Sequence, residues 1–249
     1  MQQQFECAMD IGEEMLLCGA EVHRVEESIT RMCTAFGAAR TDVFIITSSM
    51  VVTLHTASGE TFTQTRRITG GATDFEKLHR LNQLSRQICC QPMTVQEIRT
   101  QLHLAQTGPT YPLWVECICY AVIAGAFTLF FGGNCIDMLV SLFVGAVVRP
   151  VIFISEKIIP NKVFSKFIAA VVNTLLATFA VGYGLIASPD MVIIGNIMTL
   201  IPGIGLTNAL RDLFTGDSIA GLLRTVEAAL TALAIAAGYF LVIFLGGVA

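Results

Sequence analysis

Charge is what this sequence has least of. Only 14% of its 249 residues are Asp, Glu, Lys or Arg, against about 25% in an ordinary soluble domain. The shortage is local. Residues 1–109 hold 9 of the 15 Lys/Arg and 12 of the 19 Asp/Glu, whereas residues 110–249 hold 6 and 7. A water-soluble core needs a polar exterior, and the second stretch has almost nothing to cover itself with. There is no run of Lys or Arg and the formal net charge is −4, which disfavours nucleic acid as a partner. No glycine-rich phosphate loop is present, so ATP is not the expected energy source. No G-x-S-x-G elbow is present either, although Thr47, Ser48 and Ser49 are hydroxyls that a hydrolase reading would have to use. The opening MQQQFECAMD lacks a basic region followed by an apolar run, so no signal peptide is expected. None of the eight cysteines makes a C-x-x-C pair and the four histidines do not cluster with them. No metal site and no cofactor are therefore expected, and the cysteines read as small buried hydrophobes in a reducing compartment.

What is present divides in two: an α+β N-terminal domain over 1–109, in the order helix, β-hairpin, helices, and an all-α membrane domain over 110–249. In the first, Phe5, Met9, Gly12, Leu16, Gly19, Val22, Val25, Ile29, Met32 and Phe36 recur every three or four residues. That spacing predicts one amphipathic helix over 4–37. The β-branched run 43–55 predicts a strand, 57–60 a turn and the alternating 61–68 a second strand, together a hairpin. Thr73 is placed to cap a helix over 74–89, and Thr94 with Glu97 forms a capping box for another over 95–105. Residues 107–112, with two prolines, form a linker.

Five hydrophobic runs follow, at 113–132, 136–154, 167–187, 191–210 and 228–249. Each is about as long as a membrane span requires. Lys157, Lys162, Lys166, Arg149, Arg211, Arg224 and the basic residues of the first domain fall on one side of this arrangement. The positive-inside rule then puts the N-terminus in the cytoplasm and, with five spans, the C-terminus outside.

The fourth run is interrupted by Ile201-Pro202-Gly203-Ile204-Gly205. Pro202 lacks an N–H and leaves the carbonyl of Met198 without its helical partner, so the span is expected to break there. Irregular backbone at membrane depth survives only inside protein or beside a water-filled cavity. In transporters, such breaks aim free backbone groups at the solute. The candidate solute-binding residues are Asn173, Asn196, Thr199, Pro202, Gly203, Gly205, Thr207, Asn208 and Arg211. The amides would meet a carboxylate, with Arg211 or Arg224 neutralising it. Asp212, Arg224 and Glu227 are the candidates for coupling or gating, Asp212 or Glu227 taking up a proton. Small residues at i, i+4 in the third span (Ala170, Thr174, Thr178, Gly182) and the fifth (Ala228, Ala232, Ala236) predict close helix contacts. No catalytic residue is assigned, and the chain is not expected to be an enzyme. The alternatives are a membrane-anchored enzyme acting through residues 1–109, or an assembly subunit of a partner transporter.

Two stretches carry a family resemblance: Leu16–Glu26 (LLCGAEVHRVE) and Leu200–Leu213 (LIPGIGLTNALRDL), the latter followed by Gly216-Asp217 and Gly221. In these the chain resembles the threonine/serine exporter family, in its short, two-component form. The resemblance implies a multi-pass protein of the bacterial cytoplasmic (inner) membrane and a secondary exporter subunit. It would move small carboxylate-bearing metabolites, threonine and serine or a dicarboxylate such as succinate. It also implies a partner, either a small YjjB-like membrane subunit of complementary topology or further copies of the chain.

Overall fold

The computed structural model describes residues 1–109 and 111–246. Thr110 of the expected linker and the last three residues of the expected fifth span lie outside these. Contacts divide the chain into two compact units. One comprises Met1–Pro109 with Ile204–Thr225, the other Thr110–Gly203 with Val226–Ala249.

The first unit opens with α1 (Gln2–Leu17) and α2 (Val22–Ala35), where the apolar stripe had predicted a single helix. Gly19 adopts φ +85°. Its N–H donates to the carbonyl of Leu16, and that of Ala20 to the carbonyl of Met15, both at 3.0 Å. These bonds satisfy the last carbonyls of α1 and turn the chain. The stripe was right about burial, since Phe5, Met9, Val25 and Ile29 are all fully enclosed. It missed that Gly19 is there for its left-handed backbone rather than its small size. The two helices lie close enough that a Cβ on Gly12 would stand 2.6 Å from Ile29 Cδ1.

A three-stranded antiparallel meander follows, β1 (Ala38–Ile46), β2 (Ser49–Thr56) and β3 (Thr61–Arg67), in that order. The expected single strand over 43–55 is thus two strands that reverse at Thr47-Ser48, with Ile46 paired to Ser49. That turn has no Gly, Pro or Asn to announce it. Met50, Val52 and Leu54 of β2 face the core, and Thr53 and His55 share the other face with Thr63 and Thr61. Next come α3 (Phe75–Cys90) and α4 (Val95–Gln106). Asp74, rather than Thr73, caps α3 by accepting the N–H of Lys77 at 2.9 Å. The Thr94–Glu97 capping box of α4 forms as expected. Ion pairs from α1 to its neighbours, Asp10–Arg66 at 2.8 Å and Glu14–Lys77 at 2.6 Å, surround this core.

The second unit contains α5 (Leu113–Phe130), α6 (Cys135–Ile158), α7 (Lys162–Gly182) and α8 (Asp190–Ile197). The chain then passes to α9 (Gly203–Thr215) and α10 (Ser218–Gly246), whose first residues belong to the first unit. Among the described residues, four helices, α5, α6, α7 and α10, are long and apolar enough to cross a membrane. The segment expected as the fourth span is instead α8, the irregular residues 198–202 and α9. With eight residues, α8 is about 12 Å long at 1.5 Å per residue and cannot cross about 30 Å of hydrocarbon alone. The fourth run is thus broken, as expected, while the other four expected spans form as single long helices. The fifth run also extends backwards, its helix beginning at Ser218 rather than 228.

Within this unit α8 packs against α5, α6 and α7. Val144, Val148, Ala169, Ala177, Val192 and Leu200 make the shared core. The outer faces carry Phe143, Phe179, Phe240 and Phe244, all exposed, a surface suited to lipid and costly in water. Of the expected contact stripe, Ala170 and Thr174 are buried and Thr178 is half-buried, but Gly182 is exposed and a Cβ there would meet nothing within 4 Å. In α10, however, Ala232 and Ala236 face outward, and Ala228, Ile235, Gly238 and Val242 point in. The close approach is at Gly238, where a Cβ would stand 2.7 Å from the carbonyl of Phe167.

Candidate functional site

The break in the fourth hydrophobic run forms at the position its proline predicts. The N–H groups of Thr199 and Leu200 bond back three residues, to the carbonyls of Asn196 and Ile197, at 3.1 and 2.8 Å. This tightens the end of α8 before Pro202 stops it. The residues proposed from the sequence as one solute site fall into two groups, one in each unit.

The group in the second unit is a buried polar cluster. Asn196 is held on α8 beside Thr128 of α5 and Ser141 of α6. Its Nδ2 donates to Ser141 Oγ at 2.8 Å and to the carbonyl of Val192 at 2.9 Å. Thr128 Oγ1 lies 2.7 Å from Ser141 Oγ. Asn173 of α7 donates through Nδ2 to the carbonyl of Ile193 at 3.2 Å. Thr128, Ser141, Asn173 and Asn196 all have 0% exposure. Gly195 lets α8 lie this near to α5, because a Cβ there would stand 2.2 Å from Thr128 Oγ1 and 2.8 Å from the carbonyl of Ala124. The sequence reading found the two asparagines and missed Thr128 and Ser141. A hydroxyl in an apolar span is common and usually bonds its own helix, so the sequence carried no signal that these two face each other.

One feature of the cluster bears directly on chemistry. Asn173 Oδ1 and Asn196 Oδ1 are both buried without a hydrogen-bond partner. The orientation of each amide is fixed. The carbonyls of Ile193 and Val192 only accept, so the amide end facing them must be the NH2. The free ends are therefore acceptors. An unpaired acceptor in such surroundings costs about 1–3 kcal/mol, recovered if a donor from outside the protein enters. Thr199 Oγ1 donates to the carbonyl of Asn196 at 2.7 Å and so stays with its own helix. Pro202 ends the irregular stretch and is partly exposed, and Gly203, which opens α9, is exposed.

The other group lies in the first unit and grips the turn between α1 and α2. Asn208 Nδ2 donates to the carbonyl of Gly19 at 3.2 Å. Arg211 pairs with Glu21. Arg224 Nη2 donates to the carbonyl of Ala20 at 2.9 Å, and its Nη1 lies 3.1 Å from Asp212 Oδ2. Asp212 is 1% exposed. Burial raises its carboxyl above the usual carboxylate range, while Arg224 and the Val22 backbone act in the opposite direction. Gly205 and Thr207 are exposed on α9, and Glu227 is exposed on α10. This clamp joins the two stretches that carry the family resemblance, which are about 190 residues apart in sequence. The tight crossing of α9 and α10 depends on Gly221, where a Cβ would stand 2.6 Å from Leu213 Cγ.

Comparison with known proteins gives the same attribution. Residues 6–246 match the family model described as "Putative threonine/serine exporter" (ThrE). The chain belongs to the threonine/serine exporter family. It is 25% identical over 173 residues to the "Threonine/serine exporter" of Corynebacterium glutamicum, a match covering 67% of this chain and 35% of that protein. It is 23% identical over 246 residues to the "Probable succinate transporter subunit YjjP" of Klebsiella aerogenes, covering 94% of this chain and 90% of that one. The chain thus spans about a third of the length of the first relative and nearly all of the second. No solved structure matches. As a member of the threonine/serine exporter family with four long apolar helices, the chain is a multi-pass membrane protein of a transporter family. The name of the Klebsiella relative, a subunit, implies a partner component.

Proposed function

We propose that this chain is one subunit of a secondary exporter of small metabolites, and that the solute is held beside the break after α8, at Asn173 and Asn196. The observation that carries this reading is the pair of free amide oxygens in a fully buried polar cluster. Two acceptors without partners suit the ammonium and hydroxyl protons of a hydroxy amino acid such as threonine or serine. Of the donors anticipated there for a carboxylate, Asn196 Nδ2 has both of its N–H groups engaged, whereas Asn173 Nδ2 keeps one beyond its bond to Ile193. The solute carboxylate would take that remaining N–H of Asn173. Membership of the family and the naming of the Corynebacterium relative support the same substrate class.

A second reading, export of a dicarboxylate, is favoured by one observation: the Klebsiella relative, named a succinate transporter subunit, matches this chain nearly end to end. In either case the reading includes a second membrane subunit of the YjjB kind, or further copies of the chain, to complete the pathway. The Lys and Arg distribution supports a cytoplasmic N-terminus in the bacterial inner membrane.

The test is efflux of labelled threonine, serine and succinate from cells expressing the chain with its partner. Asn173→Ala and Asn196→Ala should each lower threonine efflux at least about tenfold, the loss expected when a buried hydrogen bond to solute worth about 1.4 kcal/mol is removed. Protein level and melting temperature in detergent should stay near those of the parent. Undiminished efflux in both variants would remove the site. Efflux of succinate but not of threonine would select the second reading.

A further inference from the structure

The sequence placed no histidine near a cysteine, but folding brings one beside two carboxylates. His23 and Glu26, three residues apart on α2, meet Asp217 from the short connection between α9 and α10. One ligand atom from each lies within 4.8 Å of the others. All three residues belong to the first unit. We propose that they bind a divalent transition-metal ion, of the zinc or manganese class, which fastens the α9–α10 connection to α2.

Three observations carry this. First, Asp217 Oδ2 is shut off from solvent and has no hydrogen-bond partner. A carboxylate oxygen shielded from water and without a hydrogen-bond donor is stabilised by a cation beside it. Second, Glu26 is already oriented, because the N–H of Ile45 donates to its Oε1 at 3.2 Å. Fixing a metal-ligating carboxylate by a backbone donor is how an outer shell holds its ligand in place. Third, His23 forms no ion pair with Glu26 or Asp217 among the described residues, although the three approach one another. His55 is the histidine that does pair with an acid, Asp42. The three donors thus approach one another without an ion pair among them. An ion about 2.1 Å from each donor would draw them inward by about an ångström through side-chain rotation. One imidazole and two carboxylates form a mixed N/O set, which suits zinc, manganese, iron(II) or cobalt better than calcium or magnesium. Three protein ligands leave coordination positions for water, and a groove of about 570 Å³ lined by His23, Glu26, Thr30 and Asp42 gives access.

The site is independent of the solute reading, since none of its ligands belongs to the Asn173–Asn196 cluster. The experiment uses the full chain in detergent, stripped with EDTA, dialysed and titrated with Zn²⁺ and Mn²⁺ by calorimetry, with bound metal counted by elemental analysis. One ion per chain is expected. Glu26→Gln and Asp217→Asn should each weaken binding by about 10- to 100-fold. His23→Ala removes an exposed side chain and should weaken binding without changing the metal-free melting temperature. Co²⁺ should give a visible absorption band in the parent that His23→Ala alters. His79→Ala, on α3, is the control and should change nothing. Absence of stoichiometric binding would overturn the proposal. Binding that His23→Ala and Glu26→Gln both leave intact would overturn it equally.

Discussion

At the scale of single residues, several side chains that look functional in a list are occupied. Arg211 and Arg224 are the cations nearest the Pro-Gly motif in sequence, yet one pairs with Glu21 and the other holds the carbonyl of Ala20 and the carboxylate of Asp212. The turn they hold carries Cys18, which is 2% exposed. Burial pushes its thiol up to about 11, and that of Cys33 to about 12. A raised thiol pKa means less thiolate at a given pH. At pH 8, a thiol of pKa about 11 is about one part in a thousand thiolate, and the thiolate is the form that reacts. Maleimide labelling at pH 8 should therefore reach the exposed Cys90 and spare Cys18 and Cys33. Arg224→Ala leaves Asp212 buried and unpaired and frees the turn, so Cys18 should gain labelling at least about tenfold while Cys33 stays protected. Mass spectrometry of tryptic peptides reads both sites in one sample. Equal protection of Cys18 in parent and variant would show that the clamp is not what closes the turn.

At the scale of elements, the packing of α8 is the most exacting feature. Gly195→Ala places a methyl group 2.2 Å from Thr128 Oγ1 and 2.8 Å from the Ala124 carbonyl and the Thr128 amide. Overpacking of this kind costs about 1–3 kcal/mol. The variant should melt several degrees lower in detergent. Adding Thr128→Ala should restore only part of the loss, because the remaining contacts are with backbone that cannot rotate away. How legible these elements were in the sequence varied with the physics of each. The α5, α6 and α7 spans, the break at Pro202 and the Thr94–Glu97 box could be read, because length, a missing N–H and a capping pair are local properties. The α1–α2 turn and the Thr47-Ser48 reversal could not. Gly19 fitted the apolar stripe perfectly well, and Thr-Ser is an unremarked part of a β-branched run. In the candidate site, Asn173 and Asn196 stood out as amides in apolar helices. Their neighbours Thr128 and Ser141, and the meeting of His23 and Glu26 with Asp217, depend on tertiary contacts that no spacing rule encodes.

At the scale of the whole molecule, the first unit is discontinuous in sequence. Ala220, from the start of α10, is buried in the same core as Phe5, Ile29 and Leu54. Residues 1–109 alone would lack this side chain and leave the α1–α2 turn without its grip. Such a fragment should unfold at lower urea than one in which residues 204–225 are joined to it by a flexible linker, and the difference should shrink when the linked version carries Arg224→Ala and Asn208→Ala. Circular dichroism during denaturation measures each midpoint. Identical midpoints for the short and linked fragments would mean that the N-terminal residues form a complete fold without the later segment.

That discontinuity also sets an order in time. Translation runs at about 5–20 residues per second, and about 95 residues separate Pro109 from Ile204. After the last residue of α4 is made, about 5–20 s pass before the ribosome reaches the segment that closes the turn. In that interval α5, α6, α7 and α8 are synthesised and must enter the bilayer. The first unit can therefore be completed only after α5, α6, α7 and α8 have been synthesised.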